Sequence, residues 1–380
     1  MITRTHAVMA ALVPAALVLA AVPLARAQAL DAPFLALFPE LRHLPAPDWV
    51  QPGVRMTYDT SSATIAEEPG EQGNSGAGYI QVDVIALSDA QVALNLRTFS
   101  RPIGAGAVPG KLASYVGPAG AGCDFYVNPE ALKRAPQMHA EGFFAFRSQY
   151  PAAGKQFDAI HLSYTVGGTQ KTRVYDSKSG VLLHWGSSTE GGATRSLGSS
   201  DLRSIRTLQL PWAGAPLTQS FKQLNGLRYT GRHTSNLQPG FAPQGALLSE
   251  LRVQARGANW LQLKHHYEIG ALARNTPPIV DDTVLIAGAA QLGGVYIPPK
   301  GLQGLAEGQL LDRDPVTGFE TRVAEIGGGP GGGRAVTIEE RSPSYSTAWT
   351  YDAATGWLLA QHTAVDAVHM VFDLQLDAHN

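Results

Sequence analysis

Two adjacent histidines, His265 and His266 in L-K-H-H-Y-E, are the side chains of this sequence best suited to bind a metal ion. Neighbouring residues of a strand point to opposite faces of a sheet, so this pair cannot easily hold one ion. The spacings His-x-x-x-His and Cys-x-x-Cys are both absent. We therefore predict no metal site and no cofactor. A site that combines His265 with Glu268, or with an acid from another strand, is the alternative left open.

Cys123, the single cysteine, could act as a nucleophile with His139, His161 or His184 as its base. The internal repeat described below places Cys123 opposite Gly293, a position where a small side chain suffices. We interpret the thiol as a small apolar group in the core. The sequence therefore names no catalytic residue.

Three short stretches resemble known sites until their spacing is counted. I-G-A-G-A-V-P-G-K-L at 103–112 lacks the first glycine and the final hydroxyl residue of a phosphate loop. G-N-S-G-A at 73–77 misplaces the last glycine of a serine-hydrolase elbow, and we expect Ser75 to lie in a glycine-rich loop. D-R-D-P-V-T-G at 312–318 has its glycine one position late for a calcium loop, and we interpret it as a tight turn.

The start of the chain predicts export. A charged beginning, an apolar stretch and the small residues A-R-A-Q-A at Ala25–Ala29 are typical of a secretory signal peptide, which we assign to residues 1–29. Prolines inside the apolar stretch favour this reading over an uncleaved anchor. No later stretch is apolar for long enough to cross a bilayer. We expect a periplasmic or secreted protein with no integral membrane segment in its mature chain.

Charge and cysteine content exclude several classes of function. Without the first 29 residues the chain carries 27 basic and 31 acidic side chains, with no long basic run. Nucleic acid is therefore a poor candidate partner. A single cysteine permits no internal disulfide, so stability must come from an apolar core.

The elements that would position a site come from a duplication. V-Y-D-S-K-S-G-V-L-L at 174–183 returns as T-Y-D-A-A-T-G-W-L-L at 350–359, 176 positions later. Four further landmarks recur in the same order: Gly53 with Gly226, Ala90 with Ala258, Phe125 with Val295, and Ala140 with Ala306. We assign residues 30–44 to an N-terminal segment compatible with a helix, 45–210 to repeat 1 and 211–380 to repeat 2, with a seam near Pro211.

Apolar residues in both repeats alternate with a period of two. Val92, Leu94 and Leu96 share one face of a predicted strand, and so do Leu261, Leu263, His265 and Tyr267. Such alternation is typical of antiparallel sheets with one wet face, and the Tyr-Asp segments have the residues of hairpin turns. Asn128 and Pro129 can begin a short helix.

The fold class is therefore mainly β: two tandem antiparallel β-sheet repeats of open or half-barrel type, with one or two short helices. This shape resembles that of the half-barrel lipoprotein carriers of the bacterial periplasm at the level of fold alone, and no motif assigns the chain to that family.

The function that these features favour is binding without catalysis. The ligand would be an apolar or amphipathic molecule or an envelope partner, so a lipid, a polymer segment and a protein are all open. The predicted ligand-binding residues are the aromatic and histidine side chains of the second repeat: Trp212, Trp260, His265 and Tyr267. One alternative is a secreted hydrolase with an unrecognised Asp, Glu or His site in one repeat or at the repeat interface. Another is a structural component of the envelope that is recognised through exposed sheet edges.

Overall fold

The structure, a computed structural model, describes residues 37–66, 74–101, 106–138, 141–191, 194–235, 244–271, 278–329, 332–366 and 369–379. The expected signal peptide lies outside these residues. The described chain forms two antiparallel sheets joined in tandem, which confirms the predicted fold class.

The first sheet has nine strands in the order β4-β3-β2-β1-β9-β8-β7-β6-β5. Its strands are β1 (Val54–Ala66), β2 (Asn74–Leu87), β3 (Gln91–Ser100), β4 (Val108–Pro118), β5 (Phe143–Ala152), β6 (Lys155–Val166), β7 (Thr169–Asp176), β8 (Leu182–Gly191) and β9 (Thr194–Thr207). Ser75 therefore lies in β2, and the expectation that it lies in a loop is wrong. The glycines near it allow close strand approach, since a methyl group at Gly78 would overlap the carbonyl oxygen of Phe99.

The second sheet has ten strands in the order β13-β12-β11-β10-β19-β18-β17-β16-β15-β14. Its strands are β10 (Gly226–Ser235), β11 (Gln244–Arg256), β12 (Trp260–Ile269), β13 (Ile279–Gly288), β14 (Leu310–Arg313), β15 (Glu320–Gly328), β16 (Arg334–Ser342), β17 (Tyr345–Asp352), β18 (Leu358–Val365) and β19 (Met370–His379). The order matches that of the first sheet strand for strand, with β14 as an addition at the end.

Equivalent irregularities mark the repeat in the backbone. The register shifts at Tyr58 in β1 and at Tyr229 in β10, where each strand pairs with the last strand of its own sheet. The two tyrosines also make equivalent bonds, because each hydroxyl donates at 3.1 Å to a backbone oxygen, of Leu182 and Leu358 respectively. Tyr229 is thus equivalent to Tyr58 and not to Met56, which corrects the alignment made from Gly53 and Gly226 by two positions.

The duplicated Tyr-Asp segments are hairpin turns of one kind. In the first, Gly180 N donates to Asp176 O, and in the second Gly356 N donates to Asp352 O, both at 2.8 Å. The aspartate carboxylates accept hydrogen bonds from within their own turns. Both glycines have positive φ, 73° and 84°, which favours glycine over any other residue.

Each of these turns also packs against a loop of its own repeat. Val127 N donates to Gly180 O and Ile297 N donates to Gly356 O, both at 2.9 Å. A methyl group on either glycine would overlap the backbone oxygen of the residue that docks there, Val127 or Ile297. The Tyr-Asp segment occurs in both repeats because each sheet needs a turn with a glycine that another backbone segment can approach closely. That segment is the one at Val127 in the first sheet and the one at Ile297 in the second.

D-P-V-T-G-F, Asp314–Phe319, forms the same turn a third time. Asp314 N donates to Phe319 O at 2.8 Å, Gly318 N donates to Asp314 O at 3.0 Å, and Gly318 has φ of 76°. The predicted tight turn is confirmed. This copy joins β14 to β15, an addition of the second repeat.

Short helices and loops fill the inner face of each sheet. The α-helices are α1 (Pro129–Leu132), α2 (Gln219–Gln223) and α3 (Pro299–Gln303), and 3-10 turns span Pro39–Arg42 and Ala135–Gln137. Asn128 caps α1 as predicted, since its Oδ1 accepts from Glu130 N at 2.9 Å. Phe38, Leu41 and Leu132 are buried in the first core, and Trp212, Phe221 and Leu302 in the second.

The turn at Asp314 also connects the two sheets. Its Oδ2 accepts from Gln81 and from Arg206 of the first sheet, both at 2.9 Å, while Arg206 also pairs with Asp312 and Arg55 lies 3.5 Å from Asp312. Burial opposes the charged form of Asp314. The hydrogen bonds that it accepts from Thr317 N and Arg206 nevertheless hold its pKa below the usual value.

A second ion pair between the sheets joins Arg97 to Glu340 through both guanidinium nitrogens, one of them at 2.9 Å. The Arg97 guanidinium also lies over the rings of Phe99 and Phe319, 4.8 and 5.6 Å from their centroids. The outer face of β1–β4 is thereby covered by the second sheet.

The edge of the second sheet at β13 is covered by the first sheet. Asn95 of β3 donates through Nδ2 to Ile286 O at 2.8 Å and accepts from Ile286 N at 3.0 Å, as a neighbouring strand would. Ser114 of β4 donates to Val284 O at 2.7 Å. The other end strand is β5 in the first sheet and β14 in the second. These two end strands are compared below.

Candidate functional site

The two predicted tryptophans lie in packed interiors. Trp212 is 0% exposed in the second core, where its Nε1 donates to Gln291 O at 3.1 Å. Trp260 begins β12 on the outer face and packs between the sheets with Ile85, Ala93 and Ile286. Neither indole lines an open surface, and Trp260 lies on the opposite face from His265 and Tyr267.

His265 and Tyr267 do lie together on the inner face of β12, as the alternation predicted. Their rings are 5.8 Å apart, and His265 Nε2 lies 2.8 Å from Ser249 Oγ. The strand pairings make His265 equivalent to Leu96 and Ser249 equivalent to Ile80. The second repeat therefore has a polar pair where the first has two apolar side chains. Ligand binding by these residues stays a prediction.

We expect His265 to make the protein less stable in mild acid. Burial lowers the pKa of His265 from 6.5 to about 4. Above pH 6.5 both the folded and the unfolded chain keep the ring neutral, so the full stability is present. Between pH 6.5 and 4 the unfolded chain takes up the proton first, and about 3 kcal/mol of unfolding free energy is lost.

Urea denaturation at a series of pH values measures this effect. The double variant Ser249→Ile with His265→Leu, which restores the pair of the first repeat, should flatten the profile between pH 6.5 and 4. His266→Gln serves as the control, because His266 forms a surface pair with Asp282. An unchanged slope in the double variant would contradict the assignment.

Helices, turns and loops of the described residues pack against the inner faces and occupy the space that a lipid would need. Phe38 and Leu132 fill the first, and Trp212, Phe221 and Leu302 fill the second, all of them buried. The expectation of an apolar cavity inside a curved sheet is therefore not supported.

Cys123 is also separated from His161, one of the histidines considered as its base. Cys123 packs against the first core from a loop and has a positive φ of 53°, as has its counterpart Gly293 at 66°. His161 alternates with the core residues of β6 and faces outward, where it contacts β5. His139 lies outside the described residues.

The feature that stands out is the end strand β5. In the part of the chain that the structure describes, β5 pairs along one side only, with β6. Beyond its far end Ala153 N donates to Leu202 O at 3.3 Å, which holds the β5–β6 hairpin against β9. The strand is therefore a fixed edge that pairs with no second strand among the described residues.

The equivalent strand of the second sheet, β15, is covered. Pairing with the next strand aligns Phe144 of β5 with Arg322 of β15, and Phe146 with Glu325. β14 adds to β15 as a tenth, antiparallel strand through the pairs Leu310 with Arg322 and Arg313 with Glu320. One repeat thus supplies a strand that the other lacks.

The side chains of β5 and β15 are distributed opposite to what is expected at a sheet edge. Natural edges are usually blunted by charged side chains. Here the covered strand carries Arg322 and Glu325, whereas the uncovered strand carries Phe144 and Phe146, which are 63% and 42% exposed. An aromatic pair beside free backbone groups has the properties of an interaction surface.

The phenylalanines belong to a row of rings that continues across the outer face. Phe144 lies 5.5 Å from Phe146, and Phe146 stacks on His161 at 4.5 Å. Tyr150 follows, 5.7 Å from His161 and 5.8 Å from His184. We call Phe144, Phe146, Tyr150 and His161 the aromatic row.

The far end of the aromatic row is fixed by hydrogen bonds. Asp201 accepts from His184 Nδ1 at 2.8 Å and from Tyr150 Oη at 3.2 Å. His161 Nε2 lies 2.7 Å from Ser148 Oγ. Burial, and then the neighbouring His184, lower the pKa of His161, so the ring is neutral at pH 7.

The aromatic row is specific to the first repeat. The second sheet places Thr337, Thr350 and Ala360 at the positions of His161, Val174 and His184, each 176 positions later. These small side chains line a shallow outer depression of about 330 Å³. Duplication therefore kept the scaffold, and the outer faces diverged.

No family model matches this sequence, and no curated protein sequence matches it. Among solved structures, the complex of MucB with MucA(peri) is similar over 91% of this chain and 93% of the other, with 10% identity and a TM-score of 0.22. The MucA/MucB complex of Pseudomonas aeruginosa is similar over 69% of this chain and 94% of the other, with 12% identity and a TM-score of 0.23. At these scores the similarity carries no functional argument.

Two further observations concern metal binding and membrane-spanning helices. No group of three His, Cys, Asp or Glu side chains in the described ranges is arranged to hold a metal ion. None of the described helices is long and apolar enough to cross a membrane.

The strand β5 was not predicted from the sequence. Its signal was available in F-F-A-F-R-S-Q-Y, where Phe144, Phe146 and Tyr150 share one face. The repeat alignment would have shown that a charged strand stands at the same place in the second half.

Proposed function

We propose that this protein is an exported, non-catalytic binding protein that holds a protein partner along the free edge of β5. One observation carries the proposal: no described strand covers, in the first sheet, the edge that β14 covers in the second, and this edge bears two exposed phenylalanines. A partner segment that adds to β5 would supply the missing strand.

Strand addition suits this edge for physical reasons. An added strand gains main-chain hydrogen bonds along its whole length, and alternate side chains meet the face of the sheet. The partner would cover Phe144 and Phe146, which burial favours by about 1.5 to 3 kcal/mol for each ring fully removed from water. The β5–β6 hairpin is already held in place by the Ala153 and Tyr150 hydrogen bonds, so little ordering is needed.

A protein partner is better supported than a lipid, because the inner faces are filled and the exposed apolar groups form a narrow row beside a strand edge. The hydrolase alternative has one observation in its favour, the hydrogen-bonded pair of Ser148 and His161. Labelling with a fluorophosphonate separates the two, since only an activated Ser148 would react. We expect no labelling above that of Ser148→Ala.

Photocrosslinking in the producing cell tests the proposal. p-Benzoylphenylalanine at Phe144 should crosslink to one exported protein, and the same group at Arg322, the equivalent position on the covered strand, should not. With that protein purified, hydrogen exchange at the β5 amides should slow on binding. The double variant Phe144→Arg with Phe146→Glu, which copies β15, should weaken binding at least about tenfold.

The melting temperature of the double variant checks that the fold is intact, because both side chains are exposed. Equal crosslinking at Phe144 and Arg322, or binding that survives the double variant, would contradict the proposal. A crosslink that forms only between two copies of this chain would contradict it as well.

A further inference from the structure

The second sheet shows how a strand is added at the edge equivalent to β5, because β14 is paired there with β15. β14 is four residues long, L-L-D-R, and runs antiparallel to β15. Leu311 is buried in the second core, Leu310 lies on the outer face opposite Arg322, and the register shifts between Leu310 and Asp312. Direction, length and side-chain orientation for an added strand can therefore be read from the second sheet and transferred to the first.

On the inner side of β5, the chain already supplies an apolar group of its own. The ring of Phe38 is fully buried and lies 6.3 Å from that of Phe143. In the second sheet, Asp312 of β14 pairs with Thr321, the residue equivalent to Phe143, and the preceding Leu311 supplies a buried apolar side chain. An added strand on β5 thus needs no large inward side chain.

On the outer side Phe144 and Phe146 remain exposed, although Phe146 stacks on His161. Phe144 and Phe146 are two positions apart, so they lie on one face with one residue between them. Side chains of an added antiparallel strand stand opposite these positions at the spacing of cross-strand pairs, where aromatic and apolar partners attract.

We propose that the partner segment is an extended stretch that pairs antiparallel with Phe143–Arg147 and carries two large apolar residues separated by one small or polar residue. The two apolar side chains cover Phe144 and Phe146, and the residue between them faces inward towards Phe38 and Phe143. This inference rests on the proposed function and specifies its ligand.

A set of fluorescent peptides tests the pattern on the whole protein. The first is an acetylated nonapeptide of serine and threonine with two leucines separated by one threonine. The second has the same composition with the leucines adjacent. The third is the first peptide with N-methyl groups on alternate backbone amides, prepared in both registers. Fluorescence anisotropy gives the dissociation constant of each.

The alternating peptide should bind at least about tenfold more tightly than the permuted one, because only it can place both leucines on the outer face. One N-methylated register should lose binding, since strand addition uses alternate amides. The variant Phe144→Arg with Phe146→Glu should bind none of them, and His266→Gln, on the second sheet, should bind as the native protein does.

The outcomes distinguish this inference from the function on which it rests. Equal binding of the alternating and permuted peptides, or the absence of peptide binding, would overturn the pattern while β5 could still crosslink to a partner protein in the cell. Equal binding of both N-methylated registers would overturn strand addition itself. Concentration-dependent dimers that the double variant abolishes would identify a second copy as the occupant and overturn both proposals.

Discussion

Replacing Asp314 with alanine should lower the free energy of unfolding by about 3 to 5 kcal/mol, because the change removes four hydrogen bonds to a buried carboxylate. Asp314 is 1% exposed and accepts hydrogen bonds from Arg206 and Gln81 of the other sheet. It also accepts from Val316 N and Thr317 N in its own turn. The substitution therefore removes hydrogen bonds within the turn and hydrogen bonds between the sheets at the same time.

Asp352→Ala is the matched control for this substitution. Asp352 occupies the same place in the same kind of turn, and its carboxylate accepts only from Ala354 N and Thr355 Oγ1 among the described hydrogen bonds. Its loss should cost about 1 kcal/mol. Urea denaturation of both variants gives the comparison. Equal losses would show that the bonds between the sheets add nothing beyond the turn.

Gly180→Ala should destabilise the protein by about 3 kcal/mol, the combined effect of a left-handed backbone and a forced displacement of packed atoms. Gly180 has φ of 73°, and an added methyl group would overlap the carbonyl oxygen of Val127. Backbone oxygen cannot rotate away as a side chain can. The docked loop must move and its hydrogen bond to Gly180 O must lengthen.

Gly318→Ala separates the two causes. Gly318 has nearly the same φ, 76°, in the third copy of the turn, and an added methyl group there would meet nothing within 4 Å. It should cost only the left-handed backbone, about 1 kcal/mol. Thermal unfolding of the two variants measures the difference. A loss at Gly318 as large as that at Gly180 would mean that backbone strain, and not the docking of Val127, explains the glycine.

The sheets could be predicted because their signals are local. Alternation in β3 and β12 identified the inner faces, and the hairpin residues around Gly180 and Gly356 have the same meaning wherever they occur. Glycine misled the analysis at Ser75, where it permits close strands instead of forming a loop. At Trp212 the structure buries the ring in the second core, and a ring buried in a core has the same sequence signal as one that lines a pocket.

Contacts between the repeats could not be predicted. Asp314 meets Gln81 across more than half of the chain, and no local pattern distinguishes its carboxylate from those of Asp176 and Asp352 in the other two turns. The free edge at β5 was hidden for a related reason. Its significance comes from a missing neighbour, and only comparison with β15 and β14 reveals what is missing.

The pairing of first and last strands within each sheet has a consequence for how the chain is made. Val54 of β1 pairs with Thr207 of β9, and Leu227 of β10 pairs with His379 of β19. A nascent first repeat must therefore wait for its final strand before β1 is enclosed, with its edge open to wrong pairing meanwhile. Once β9 is available, the first half can close before the strands of the second half have paired. The bonds of Asp312 and Asp314 to Arg206 form only later, when the β14–β15 hairpin arrives at a surface that is already folded.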